Sequence, residues 1–171
     1  KIYDGTTNVT NLDIIIDNPS ISLLYYSASF SNSNVGLNYI TITNYILTSI
    51  NLNNYNIITN TTISAYIFPK PITINFSGGA KIYDSTLNTG ILVGNINGLV
   101  AGQNIFVQSY NSYFRNKSVG FQQIDVSNIV LSGTGASATN YIVTAYSTNN
   151  GLISKADLSG ILTADDKYYD G

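Results

Sequence analysis

The chain contains no Cys, His, Met or Trp, and no Glu occurs anywhere along it. Without Cys there is neither a disulfide staple nor a thiolate ligand for a metal. Without His, Cys or Glu, Asp alone is left for acid–base chemistry, so the composition argues against an enzyme and against a bound cofactor. Charge is also scarce: 9% of residues are charged and the formal net charge is -2, where ordinary soluble domains carry about a quarter. Arg115 and a few scattered lysines supply all the positive charge, so no basic stripe tracks a phosphate backbone and no nucleic-acid partner is expected. No apolar run reaches the roughly 18 to 20 residues of a membrane span, and the first residues carry no signal-peptide pattern, so no membrane insertion is expected of this segment.

What remains is Asn, Ser, Thr, Gly, Tyr and Ile. The strong helix formers Glu and Met are absent, and no apolar stripe of period 3.6 persists. Alternating or short apolar runs in LDIIID, SISLLYYSASF, NYITITNYIL, YNIITNTTISAYIF and PITINF predict strands, as do GILVGNI, NIFVQSY, QQIDVSNIVL, NYIVTAY and LSGIL. Asn, Gly, Ser and Asp between them predict turns. The fold class is all-β.

The chain opens on KIYDGTT, and the cluster returns as KIYDST at Lys81 and as KYYDG at Lys167. The match extends past that cluster: Phe30, Val35 and Gly36 correspond to Phe114, Val119 and Gly120, and Asn54 and Tyr55 to Asn140 and Tyr141. Lys70 and Lys155 extend it further. A constant order at offsets of about 80 to 86 residues marks an internal repeat. PITINF and DLSGIL precede the second and third motifs, so each unit begins with a strand ahead of its KxYD element. Residues 1–70 then form a first unit without its leading strand, 71–156 a second unit, and 157–171 the leading strand and start of a third. The lack of an initiator Met, with the motif at both ends, reads as a segment of something longer. Each unit is expected to be a small immunoglobulin-like β-sandwich, with a β-grasp-like arrangement as the alternative. Pro19, Pro69 and Pro71 suit loops and a stiffened junction.

K-I-Y-D-G-T-T, then F-x4-V-G, an apolar segment, N-Y-x-I and a closing I-x-K or P-K, resembles the YDG repeat of large bacterial surface adhesins, the filamentous-haemagglutinin-like proteins. The central copy resembles it most fully, with LVAGQNIFV in place of the usual L-x-x-G-D segment and Gln103 where that pattern has an acid. The resemblance implies tandem, non-enzymatic units at an extracellular cell surface, with a virion surface fibre as the less favoured setting.

The motif residues carry a structural reading first. In a strand Lys1 and Tyr3 share one face, and Asp-Gly marks a turn. Tyr3, Tyr83 and Tyr169 are expected to anchor rings beneath a loop, and Asp4, Asp84 and Asp170 to cap the turn. Gly36 and Gly120 are expected at positive φ. Asn54-Tyr55 and Asn140-Tyr141 read as turns entering buried strands. Three chemical alternatives are weaker: a calcium site from Asp165, Asp166 and Asp170, an isopeptide bond from Lys81 or Lys155, and glycans at the sequons of Asn8, Asn60, Asn75 and Asn116.

The function expected is a spacer in an adhesin stalk or filament, whose partners are neighbouring repeats of the same chain or other copies. The alternatives are a module that binds a host glycan or receptor through exposed Tyr and Asn, and a filament subunit in which residues 157–171 of one molecule add to the open edge of residues 1–70 in the next. A covalent array is the simpler account.

Overall fold

The computed structural model describes residues 1–48, 52–56 and 63–171. These are nearly all β, in several small sheets, and their only helical pieces are two 3-10 turns at Leu52–Asn54 and Ala138–Asn140. Strands β1 (Ser22–Phe30), β2 (Gly36–Thr48) and β3 (Ile63–Ile67) form one sheet in the order β1-β2-β3. Eight more strands follow: β4 (Lys70–Gly78), β5 (Lys81–Ile82), β6 (Ile91–Asn97), β7 (Asn104–Phe114), β8 (Gly120–Gln122), β9 (Ile124–Thr134), β10 (Tyr141–Thr148) and β11 (Gly151–Ser154). They make the sheets β10-β4-β6, β5-β11-β8 and β7-β9.

The internal repeat is a repeat of pairing as well as of residues. β1 runs antiparallel to β2 as β7 does to β9. Gly36 and Leu37 face Ile67 and Tyr66 across β2 and β3, and Gly120 and Phe121 face Ile153 and Leu152 across β8 and β11. Ile2 bridges Phe68 in parallel, as β5 pairs in parallel with β11 through Ile82 and Ser154. Each 3-10 turn immediately precedes the corresponding tyrosine, Tyr55 or Tyr141.

β4 shows how the sequence makes a strand here. In PITINF the apolar residues alternate with small polar ones, so one face takes Ile72, Ile74 and Phe76 into the interior while Thr73 and Asn75 meet solvent. Burying each such side chain contributes about 1.5–3 kcal/mol. The strand lies at the centre of its sheet, parallel to β10 on one side and antiparallel to β6 on the other. It also links two cores. Ile72 joins Tyr3, Phe30, Ile40 and Ile67 of the first unit and Ile105 and Tyr141 of the second. Ile74 and Phe76 join Ile91, Phe114, Ile124, Val126 and Ile153.

Two expected strands are not formed. Residues 12–17 and 155–171 carry no strand, and Leu158 and Leu162 are fully exposed. The cause is lost pairing. The counterpart of 12–17 is β6, which pairs with β4, and no counterpart of β4 for the first unit lies within the 171 residues. The counterpart of 157–163 is β4 itself, whose neighbours β6 and β10 likewise have no third copy here. Part of the expected strand at 55–68 lies outside the described residues, and β3 is the portion seen.

Candidate functional site

The KxYD element folds into a latch that occurs in both units. The parallel pairing of Lys81–Ile82 with β11 is extended by the Tyr83 amide, which donates to the Ser154 carbonyl at 2.9 Å. In the first unit the Tyr3 amide donates to the Phe68 carbonyl at 2.8 Å. The chain then turns, and Asp84 Oδ1 accepts from the Thr86 amide at 2.9 Å and the Thr86 hydroxyl at 2.8 Å. This is the aspartate-capped turn expected from the sequence, and Asp4 makes it with Thr6.

Lysine closes the latch. Lys81 Nζ donates to Asp84 Oδ1 at 2.7 Å, to the Thr86 carbonyl at 2.7 Å and to Thr86 Oγ1 at 2.9 Å. Lys1 repeats all three contacts on Asp4 and Thr6. An ammonium has three donors, and each is engaged. The same nitrogen stands 5.6 Å from the ring centroid of Phe114, or of Phe30 in the first unit, within range of a cation–π attraction. Lys81 therefore holds Asp84 charged. The Lys81 hydrogen bond first, then the Thr86 amide and hydroxyl, bring the Asp84 carboxyl down to about 2. For Asp4, burial pushes the carboxyl up, but Lys1 and Thr6 outweigh it and the group lies below its usual range. The third copy is bare: Lys167 meets Asp170 at 2.7 Å, but both side chains are largely exposed.

Gly36 and Gly120 adopt φ of 130° and 117° as expected. At the turn of the latch Gly5 has φ 80°, and Ser85, in the same place, is held at φ 66°. That conformation is unfavourable for any residue with a Cβ.

The remaining motif residues meet where the first unit joins the second. Asn140, 1% exposed at the end of its 3-10 turn, accepts the Val35 amide at 2.9 Å and donates to Asn34 Oδ1 at 2.8 Å. Tyr141 donates its hydroxyl proton to Gln103 Oε1 at 2.5 Å and accepts the Val100 amide at 3.2 Å. Gln103 Nε2 in turn donates to the Tyr3 hydroxyl at 2.7 Å, and the Tyr3 and Tyr141 rings meet edge to face at 5.5 Å. Burial above all raises the Tyr141 pKa, with the Val100 amide opposing. Val35 and Tyr3 belong to the first unit, and Gln103, Asn140 and Tyr141 to the second.

The equivalents of these residues at the opposite faces are exposed. Tyr83 is 38% and Val119 44% exposed, and Tyr55 is 44% exposed with Asn54 exposed beside it. The expectation of a sheltered ring therefore holds for Tyr3 and fails for Tyr83 and Tyr169, because the pocket over Tyr3 is made by the next unit. Asn140-Tyr141 leads into β10, where Tyr141 is buried but the residues after it are exposed or half-buried, and the strand expected after Asn54-Tyr55 falls at 57–62, outside the described residues. Sequence reasoning missed the place of Lys over Phe, the bridging role of Gln103, and Thr6 and Thr86. The threonines left a signal, since both complete motifs carry Thr two residues after the Asp.

The chemical alternatives find little in the geometry. Lys81 is fully engaged in its latch and Lys155 is exposed. No group of three or more acidic side chains gathers among the described residues, and Asp165, Asp166 and Asp170 are each exposed. Asn8, Asn75 and Asn116 are exposed, and Asn60 lies outside the described residues. No helix among the described residues is long and apolar enough to cross a membrane.

Searches of curated proteins and of solved structures find no match to the chain. A family model does match, and its span takes in β4, the second latch, Gln103 and the Asn140-Tyr141 pair: a YDG domain is detected at residues 68–149.

Proposed function

We propose that this chain is a non-enzymatic structural repeat of a cell-surface adhesin stalk or extracellular filament, in which YDG units act as spacers. One observation carries the reading: of the motif residues of one unit, Val35 is held by Asn140 of the next, and Tyr3 by Tyr141 through the bridging Gln103. A motif used to join copies belongs to an array. Each unit is read as a small immunoglobulin-like sandwich, which is supported by the way β4, β6, β7, β9 and β11 close around Phe76, Phe114 and Ile153. Its place is outside the cell, where a surface of Asn, Ser, Thr and Tyr and the lack of Cys are both acceptable.

The test is small-angle scattering on covalent arrays of increasing unit number. The maximum dimension is expected to rise linearly with each added unit, and an array that collapses to a compact particle would overturn the spacer reading. Antibody labelling of intact source cells tests the location.

A second reading, a glycan- or receptor-binding module, is favoured by an exposed aromatic strip. Tyr66 and Phe68 lie ring to ring at 5.1 Å, with Tyr39 and Leu37 exposed nearby on β2. A glycan array separates the two: saturable binding that is lost on Tyr66→Ala would favour the module.

A further inference from the structure

The strands that pair with the latch turn a matching apolar surface outward in both units. In the first, Leu37 stands opposite Tyr66 across β2 and β3, and Ile2 bridges Phe68 beside them. In the second, Phe121 stands opposite Leu152 across β8 and β11, and Ile82 pairs with Ser154. Alternation takes Ile67 and Ile153 inward between these positions, so the named side chains share the outer face. Leu37 is 68% exposed and its counterpart Phe121 75%, and Ile2 is 57% exposed and its counterpart Ile82 65%.

This exposure does not depend on what precedes or follows a unit. The second unit has residues 1–70 ahead of it and the first has residues 71–171 after it, yet the surface is open in both. Tandem neighbours on either side leave it uncovered.

Its chemistry and its spacing select what can cover it. The outward positions of these paired segments hold Ile, Leu, Phe, Tyr and Ser and no charged residue, so a second copy laid against them meets no like charge. The patch occurs once per unit, and a partner that engages both patches must itself repeat at the unit spacing, as this chain does. A large side chain at half exposure offers on the order of 100 Å². Ile2, Leu37, Tyr39, Tyr66 and Phe68 with the three large apolar residues of the second patch then offer about 800 Å², the share of one partner in a standard interface. Either patch alone falls short of that.

We propose that this face is the seat of a second copy of the chain, docked outer face on outer face so that arrays associate side by side. The proposal rests on the tandem-unit reading above and adds a lateral partner to it. Docking removes apolar side chains from water in both units at once.

The experiment is sedimentation equilibrium on the 171-residue chain from low micromolar to submillimolar concentration. Association that grows with concentration is expected. It should weaken at least tenfold in a variant carrying Leu37→Ser and Phe121→Ser. Both side chains are already exposed, and circular dichroism should show the variant folded as the parent. A control carrying Leu92→Ser and Ile142→Ser removes exposed apolar side chains from β6 and β10 of another sheet and should associate as the parent does. A chain that stays monomeric throughout, association that survives the first variant, or an equal loss in the control would overturn the proposal. A monomeric chain that binds a glycan saturably would assign the strip to the glycan reading instead. The maximum dimension of dilute covalent arrays does not depend on lateral contact, so the spacer reading stands or falls separately.

Discussion

The Lys81 ammonium stands 5.6 Å from the centre of the Phe114 ring, and Phe114 is fully buried beneath it. The ring gives the lysine a sheltered seat, and Asp84 with Thr86 supplies acceptors for all three protons. Replacing Lys81 by Met keeps the stem and removes the charge. Lys81→Met is expected to lower stability by about 1–3 kcal/mol, from the lost charged hydrogen bonds and cation–π contact. Lys167→Met, at a motif without a ring or threonine, should change stability by less than about 0.5 kcal/mol. Urea denaturation midpoints of the two variants check both.

The latch is also sensitive to acid. Asp84 has its pKa lowered from 3.8 to about 2, so between these values the unfolded chain binds more protons than the folded one. Its contribution is complete above pH 3.8 and is lost as the pH falls through about 2. Carbon-detected NMR of the Asp84 carboxyl should show a midpoint near 2, returning towards 3.8 in Lys81→Met. An unchanged midpoint in that variant would remove lysine as the cause.

Ser85 occupies a left-handed conformation that Gly5 fills in the other copy. Ser85→Gly removes the steric cost of that conformation and adds some freedom to the unfolded chain. The balance favours glycine, and the variant is expected to gain about 0.5–1 kcal/mol. A thermal midpoint at or below that of the parent would contradict this.

Asn140 ties the two units through the Val35 amide. Asn140→Ala leaves that amide without its acceptor and should cost about 1–3 kcal/mol. Hydrogen exchange of the Val35 amide should accelerate in step. Asn54→Ala, at the exposed equivalent site, is expected to be near neutral, within about 0.5 kcal/mol.

Most strands were legible because PITINF and its like alternate plainly, and the turn at Asp4 and Asp84 followed from residue chemistry alone. Positive φ at Gly36 and Gly120 was legible for the same reason. The seat of Lys81 over Phe114 was not, since nothing local says that a side chain crosses to a strand some thirty residues on. Nor did the sequence distinguish Tyr3 from Tyr83. The two sit in near-identical motifs, and burial differs because Gln103 and Tyr141 of the second unit cover Tyr3, while Tyr83 is left 38% exposed. The parallel neighbours β4 and β10 belong to the same class of surprise. Pairing between segments about 70 residues apart leaves no periodic trace, because either strand alone reads the same with any partner.

That parallel arrangement has a mechanical consequence. A unit is entered through β4 and left through β10 and β11, and β4 lies parallel to β10, as β5 does to β11. Tension on the chain pulls the entering strand backward and the leaving strands forward, so the ladder from Tyr141–Lys70 to Thr148–Phe76 is loaded in shear. Sheared hydrogen bonds share the load and fail together, whereas a hairpin peels one bond at a time. Single-molecule stretching should show each unit yielding in one abrupt step, at a force set by its unfolding barrier.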